Sequence, residues 1–214
     1  MRRLLIVSTL LAPAVHAQIL SVYATSSSTQ FSSVQTGFLY TASTNTYQPQ
    51  YANFWASGIG GGVTIGILPI GPIHIGLDLR GSTKPGTSGA DTALAGLRIG
   101  IKPPIIHIKP FIQASGGYVE TRTPNISNFI LTTTTTTTST TTATLGSNTF
   151  TNQYAGWEIL GGIDYPLLHI LDLRLIEIGG GQGYNFGGSS SSGNPTTGAQ
   201  ISLFTINAGL VLHF

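Results

Sequence analysis

The last nine residues of the chain, Ile206–Phe214, read INAGLVLHF and alternate strictly with a period of two. Successive side chains of a β-strand point to opposite faces, so residues two apart share a face. Counting back in twos from the terminal ring gives one apolar face: Phe214, Leu212, Leu210, Ala208, Ile206 and Phe204. The other face carries polar residues, among them Asn207 and His213. This stretch therefore predicts a strand with one apolar side.

Residues 1–17 are typical of a secretory signal peptide. Arg2 and Arg3 form a basic start, a mostly apolar run follows, and residues 15–17 (VHA) resemble a small-residue cleavage site. A membrane anchor would need about 20 consecutive apolar residues, more than this run contains. We therefore expect the signal to be cleaved, which leaves a domain at 18–214. Loss of the two arginines makes that domain neutral, with seven basic against seven acidic side chains.

The composition excludes several classes of protein. Only 7% of the residues are charged, against about a quarter in ordinary soluble domains. The domain contains no run of about 18 apolar residues, as a spanning helix would need. Cysteine is absent, so neither a disulfide framework nor a cysteine-based zinc site can form. The neutral charge balance offers no basic surface for nucleic acid, and we expect neither a nucleic-acid partner nor a cofactor.

Period-two alternation recurs along the chain and predicts eight strands. The predicted strands are residues 19–25, 54–67, 73–81, 92–102, 107–121, 153–165, 170–186 and 199–214. Short proline-containing turns are predicted at 68–72, 103–104 and 166–168. Long polar loops are predicted at about 26–52, 82–91, 122–152 and 187–198. The third of these loops contains the threonine run 132–138, to which the sequence assigns no role.

Short turns at one end and long loops at the other are typical of outer-membrane β-barrels. Such barrels have an even number of antiparallel strands, short periplasmic turns and longer extracellular loops. A sheet in lipid must close, because lipid cannot satisfy the hydrogen-bonding groups of an edge strand. The sequence thus predicts an all-β fold, an eight-stranded antiparallel up-and-down transmembrane β-barrel whose last strand pairs on both sides.

The strand that ends on Phe214 resembles the assembly signal of bacterial outer-membrane barrels, and the domain at 18–214 resembles the small OmpA-like and OmpX-like eight-stranded family. The resemblance implies that the barrel-assembly machinery recognises a row of outward side chains: Ala208, Leu210, Leu212 and Phe214. It also implies a bacterial outer-membrane location at the cell surface, reached through the cleaved signal peptide. Outer-membrane lipid would then surround a monomeric barrel.

Strand parity places most of the charged residues on the minority polar face. The ten candidates are Asp78, Arg80, Arg98, Lys102, Lys109, Glu158, Asp164, Asp172, Arg174 and Glu177. A lysine or arginine that faces lipid at mid-bilayer costs about 2–4 kcal/mol, so we expect this face to point inward. Glu177 lies an odd step from Arg174 and needs a β-bulge near Leu175 and Ile176 to join the others. We predict a paired charge network that fills a lumen only wide enough for side chains.

The sequence predicts neither a catalytic site nor a metal site. It contains no HExxH or GxSxG motif, and no carboxylate pair has a readable catalytic spacing. We interpret the protein as a structural or surface-interaction barrel rather than an enzyme, with a surface ligand that the sequence does not name. Two alternatives stay open, a narrow solute channel and a secreted β-sandwich adhesin. Single-channel conductance separates the first from a filled barrel, and membrane fractionation separates the second.

Overall fold

A computed structural model describes residues 20–41, 46–103, 107–124, 149–189 and 199–214. Eight strands in these residues form one closed antiparallel sheet, in which each strand pairs with its neighbours in sequence and the last pairs with the first. The strands are β1 (Leu20–Thr41), β2 (Thr46–Ile70), β3 (Ile73–Lys84), β4 (Gly89–Ile101), β5 (Lys109–Pro124), β6 (Thr149–Leu168), β7 (Leu171–Ser189) and β8 (Gln200–His213). The predicted eight-stranded up-and-down barrel is confirmed.

The strands are strongly staggered around the barrel. The paired residues can be followed from Ser21 on β1 through each strand in turn. The path returns to β1 at Phe31, ten residues farther along. In a barrel the number of strands and this stagger together fix the tilt and the diameter. An eight-stranded barrel has an interior only just wide enough for side chains.

We call the end of the barrel with the short β2–β3 and β6–β7 turns the turn end, and the opposite end the loop end. In the half next to the turn end, the outward side chains are apolar. This apolar band includes Leu77, Leu79, Leu97, Ile99, Ile112, Ile159, Ile178, Ile206 and Leu210, which are 37–54% exposed. Exposed aromatic rings lie near its edges: Trp157 and Phe204 on one side, Tyr165 and Phe214 on the other.

Toward the loop end the composition of both faces changes. The inward side chains there form an apolar cluster, which we call the plug: Phe31, Val34, Ala56, Ala90, Leu94, Val119, Tyr154, Ile201 and Leu203. The outward positions beside it carry polar residues such as Gln30 and Ser202, together with exposed rings such as Tyr51 and Phe186. Asp91 and Arg122 form an ion pair of 2.7 Å on the same outer surface. The outer surface of the loop-end half is therefore a mixture of polar side chains and exposed aromatic rings, unlike the apolar band.

The loop predicted at 26–52 is wrong, because β1 continues to Thr41 and β2 begins at Thr46. Hydroxyl and amide side chains lie on both faces of this segment, for example Gln30 outward and the buried Thr29 inward, while Phe31 and Val34 belong to the plug. Its composition therefore resembles that of a loop, although β1 pairs with β2 along this segment and, as far as Ser32, also with β8.

The other long loops are also shorter than predicted. The loop at 82–91 reduces to 85–88, because β3 runs to Lys84 and β4 begins at Gly89. The loops at 122–152 and 187–198 lose the residues that belong to the ends of β5, β6 and β7. The turn predicted at 166–168 lies within β6, and the chain reverses at residues 169–170. The predicted signal peptide, 1–17, and the threonine run, 132–138, lie outside the described residues.

Candidate functional site

Six of the ten predicted charges form a continuous chain of ion pairs across the lumen. In order of contact they are Arg98, Asp164, Arg174, Glu177, Arg80 and Glu158. Asp164 accepts from two arginines, at 2.5 Å from Arg98 Nη2 and 3.0 Å from Arg174 Nε. Glu177 lies 3.0 Å from Arg174 Nη1 and 2.5 Å from Arg80 Nη2, and Arg80 lies 3.4 Å from Glu158. Charges of opposite sign alternate along this chain, so the chain is neutral as a whole.

Arg174 lies at the centre of this ion-pair chain. Its side chain is 0% exposed, and its guanidinium stacks over the rings of Tyr23 at 4.4 Å and Phe111 at 4.8 Å. The guanidinium of Arg98 also lies over the Phe111 ring, 3.6 Å from its centre. Cations over aromatic faces are stabilised by the ring quadrupole, most strongly when desolvated. The two rings thus hold the arginines in place.

The β-bulge predicted near Leu175 and Ile176 is confirmed. Arg174 pairs with Gly209 on β8, whereas Glu177 pairs with Asn207, so two residues of β7 oppose one residue of β8. Leu175 and Ile176 both face outward, and Glu177 is turned into the lumen. There it also accepts a hydrogen bond of 2.5 Å from the side chain of Asn207. A single inserted residue therefore brings Arg174 and Glu177 to the same face.

Asp78 is held by neutral donors rather than by a cation. The Tyr23 hydroxyl donates to it at 2.8 Å, the Thr64 hydroxyl at 2.8 Å and the Gln113 amide at 2.7 Å. Buried carboxylates are expensive unless hydrogen-bonded, and three donors meet that requirement. Charge-based sequence reasoning missed these partners. Gln113 could have been found, because it lies four residues from Lys109 and shares its strand face.

A second group of contacts lies at the turn end. Lys109 Nζ lies 2.6 Å from Asp172, and His213 Nε2 lies 2.7 Å from the same carboxylate. The other ring nitrogen of His213 lies 2.8 Å from the Ser21 hydroxyl on β1. This group therefore joins β5, β7 and β8 to the first strand next to the place where the barrel closes.

Lys102 does not join the predicted network, and no ion pair of its side chain is found within the described residues. β4 ends at Ile101, so Lys102 lies in the following turn, where its backbone N–H donates to Pro72 O at 2.7 Å. Its side chain is exposed at the turn end of the barrel. The strand-parity argument failed here because the ladder stops one residue earlier.

Glycines on the inner face make room for the aromatic rings beside Arg174. A Cβ at Gly62 would collide with the hydroxyl end of Tyr23, and a Cβ at Gly162 would collide with the ring of Phe111. Both glycines occupy inward positions, on β2 and β6 respectively. Any larger residue at either position would displace a ring that contacts Arg174.

A small cavity lies between the ion-pair chain and the plug. Its volume is about 30 Å³, and Arg80, Glu158 and Leu203 are among the residues that line it. A volume of this size holds about one or two water molecules. The buried Lys84 also lines it and donates to the Ser82 hydroxyl at 2.5 Å. The cavity is far smaller than the several hundred Å³ typical of ligand pockets.

The four residues of the predicted assembly signal form one outward row on β8. Ala208, Leu210, Leu212 and Phe214 are all exposed, and the Phe214 ring is 69% exposed. The backbone N–H of Phe214 donates to Leu20 O on β1 at 2.9 Å. The ring itself therefore contributes little packing within the barrel.

Deleting Phe214 is expected to lower the yield of membrane-inserted barrel much more than the substitution Phe214→Tyr. Tyrosine keeps an aromatic ring at this position, whereas the deletion removes the ring. The measurement is quantitative immunoblotting of washed membranes, with unfolding in urea as a control. Because the ring is exposed, little loss of stability is expected in either variant. Equal membrane yields for the deletion and the parent would contradict a role of this ring in assembly.

No family model matches the sequence, and no curated protein is a significant match. Among solved structures, Neisserial surface protein A is similar at 14% identity, with 91% of this chain and 97% of that chain covered and a TM-score of 0.46. OprG from Pseudomonas aeruginosa is similar at 8% identity, with coverages of 92% and 96% and a TM-score of 0.45. The outer membrane protease OmpT from Escherichia coli is similar at 9% identity, with coverages of 92% and 97% and a TM-score of 0.41. The fold assigned above rests on this chain's own strand pairing.

The described residues contain no helix long and apolar enough to cross a membrane. They also contain no group of three or more histidine and acidic side chains arranged to hold a metal ion.

Proposed function

We propose that this protein is an integral barrel of the bacterial outer membrane, with a structural or surface-interaction role and a lumen filled by side chains. The observation that carries this proposal is the apolar band around a charged interior. An outward row such as Leu77, Leu79 and Leu97 buries apolar surface only if lipid covers it. The charged chain through Arg174 lies inside that band, where it is shielded from lipid.

The filled lumen is supported by two successive barriers. The ion-pair chain and Asp78 occupy the half within the apolar band, and the plug occupies the half beyond it. Phe31 and Phe54 stack with ring centres 5.4 Å apart within the second barrier. An ion would have to break buried ion pairs and then enter an apolar cluster, both at high cost. We therefore favour a closed barrel over the narrow solute channel.

The same contacts favour a non-enzymatic role. Each carboxylate of the ion-pair chain is buried against an arginine, whereas a catalytic carboxylate must be able to reach a substrate. The proposed partners are outer-membrane lipid around the band and the barrel-assembly machinery during biogenesis. In the proposal the barrel is a monomer, has no nucleic-acid partner and arrives through the cleaved signal peptide.

Planar-bilayer recording tests the filled lumen. We expect the purified, folded barrel to show no steady conductance above that of the protein-free bilayer. The control is the double variant Phe31→Ala, Leu203→Ala, prepared in the same way. It lacks two inner side chains of the plug but keeps the ion-pair chain. Large steady openings in the parent protein would overturn the filled-lumen proposal and favour the solute channel.

Membrane fractionation tests the location. We expect the protein in the outer-membrane fraction, resistant to carbonate and urea washes, and with a gel mobility that differs between unheated and boiled samples. A closed barrel keeps its compact shape in detergent until it is heated. Recovery in the soluble or secreted fraction would overturn the proposal.

A further inference from the structure

A cavity of about 810 Å³, which we call the vestibule, opens at the turn end of the barrel. Its cationic side chains are Arg98, Lys102 and Lys109. Its imidazoles are His74, His107, His169 and His213, and the first three of these residues are exposed. Its volume falls within the range of about 300–1,000 Å³ that is typical of small-molecule sites.

The vestibule carries an excess of positive charge. Within the described residues, its lining contains no aspartate or glutamate. The nearest carboxylates, Asp164 and Asp172, are buried and already engaged, the first by two arginines and the second by Lys109 and His213. Among the described cations of the lining, Lys102 is therefore the one for which no ion pair is found.

The walls of the vestibule are apolar. Ile101, Leu167 and Leu168 line it, and they continue the apolar surface of the barrel around its turn end. Apolar walls exclude water and strengthen the interaction of a cation with an anion that enters. The arrangement of ammonium and imidazole N–H donors around one opening suits an anion with several oxygen acceptors.

We propose that the vestibule binds a phosphate group, with Lys102 as its principal cationic contact. The phosphate can be free or can belong to a lipid headgroup, because both present the same oxygens to the lysine and the imidazoles. This inference goes beyond the proposed function, which names no small-molecule ligand. The site can be tested on the detergent-folded barrel without a bilayer.

Nuclear magnetic resonance of the histidine side chains tests this site. Inorganic phosphate is titrated into the folded, histidine-labelled barrel at fixed pH, and sodium chloride of equal ionic strength is the reference. We expect saturable shifts of the imidazole signals with phosphate and none with chloride. The substitution Lys102→Gln is expected to raise the Kd about tenfold, as the loss of one charge-assisted contact predicts. Lys102 has no described ion pair, so its substitution leaves the fold intact.

The matched control is Arg122→Gln, which removes one positive charge at the loop end. Arg122 pairs with Asp91, far from the vestibule, and its substitution is expected to leave the Kd unchanged. A second titration compares short-chain phosphatidylglycerol with free phosphate in the same micelles. Tighter binding of the lipid identifies a headgroup as the source, and equal affinity identifies free phosphate. Shifts no larger than those with chloride, or equal weakening by both substitutions, would overturn the proposal.

Discussion

The substitution Arg174→Ala is expected to lower the free energy of unfolding by about 3–5 kcal/mol, because it removes one partner of a buried charge network. Asp164 and Glu177 would each lose one of two arginines, and the rings of Tyr23 and Phe111 would lose the guanidinium between them. Urea-induced unfolding of the reconstituted barrel, followed by the fluorescence of its two tryptophans, measures the loss.

Two further variants separate charge from packing. Arg174→Met retains most of the side-chain volume without the charge, and we expect it to recover only the packing part of the loss. Arg122→Ala breaks the ion pair with Asp91. The side chains of Arg122 and Asp91 are 32% and 37% exposed, so the free energy of unfolding should fall by at most about 1 kcal/mol. A loss from Arg174→Ala as small as that from Arg122→Ala would show that the lumen charges do not form a stabilising network.

The substitution Phe31→Ala is expected to cost about 3–5 kcal/mol, the usual range for a buried phenylalanine truncated to alanine. Phe31 is 0% exposed, and its ring stacks on Phe54 within the plug. The same change at Phe186, whose side chain is 56% exposed on β7, is the matched control and should cost much less. The same unfolding measurement serves both variants. Equal losses at the two positions would mean that the plug does not behave as a core.

Strand parity was enough to predict the face on which most lumen charges lie. The rule that lipid cannot accommodate charges at depth is local to each strand, so it needs no knowledge of the neighbours. The same rule gave the bulge before Glu177, because only an inserted residue reconciles its position with that of Arg174. The alternation of Leu77 and Leu79 with Asp78 is likewise visible in sequence and retained in the structure.

The partner of each charge could not be predicted in the same way. Glu177 meets Arg80, from a strand on another side of the lumen, because the stagger of the barrel and its narrow diameter bring them together. Neither quantity is encoded in any one strand. The loop-end part of β1 was not predicted for a different reason. Beyond the apolar band the outward side chains need not be apolar, so the alternation used to find strands is lost. There, Phe31 points inward and Gln30 outward, the reverse of the pattern used to find strands.

The limited height of the apolar band has a consequence for the immersion depth of the barrel. If the barrel moved outward by two residues per strand, about 7 Å of chain, one layer of apolar side chains around the band would enter water. An equal shift inward would carry Asp91, Glu120 and Arg122 toward lipid, where an arginine costs about 0–1 kcal/mol near the interface and about 2–4 kcal/mol at the midplane, and acidic side chains cost less. Both displacements raise the free energy, so the barrel has one preferred height. The loop ends of β1, β5 and β7 are thereby kept at a constant elevation above the membrane surface.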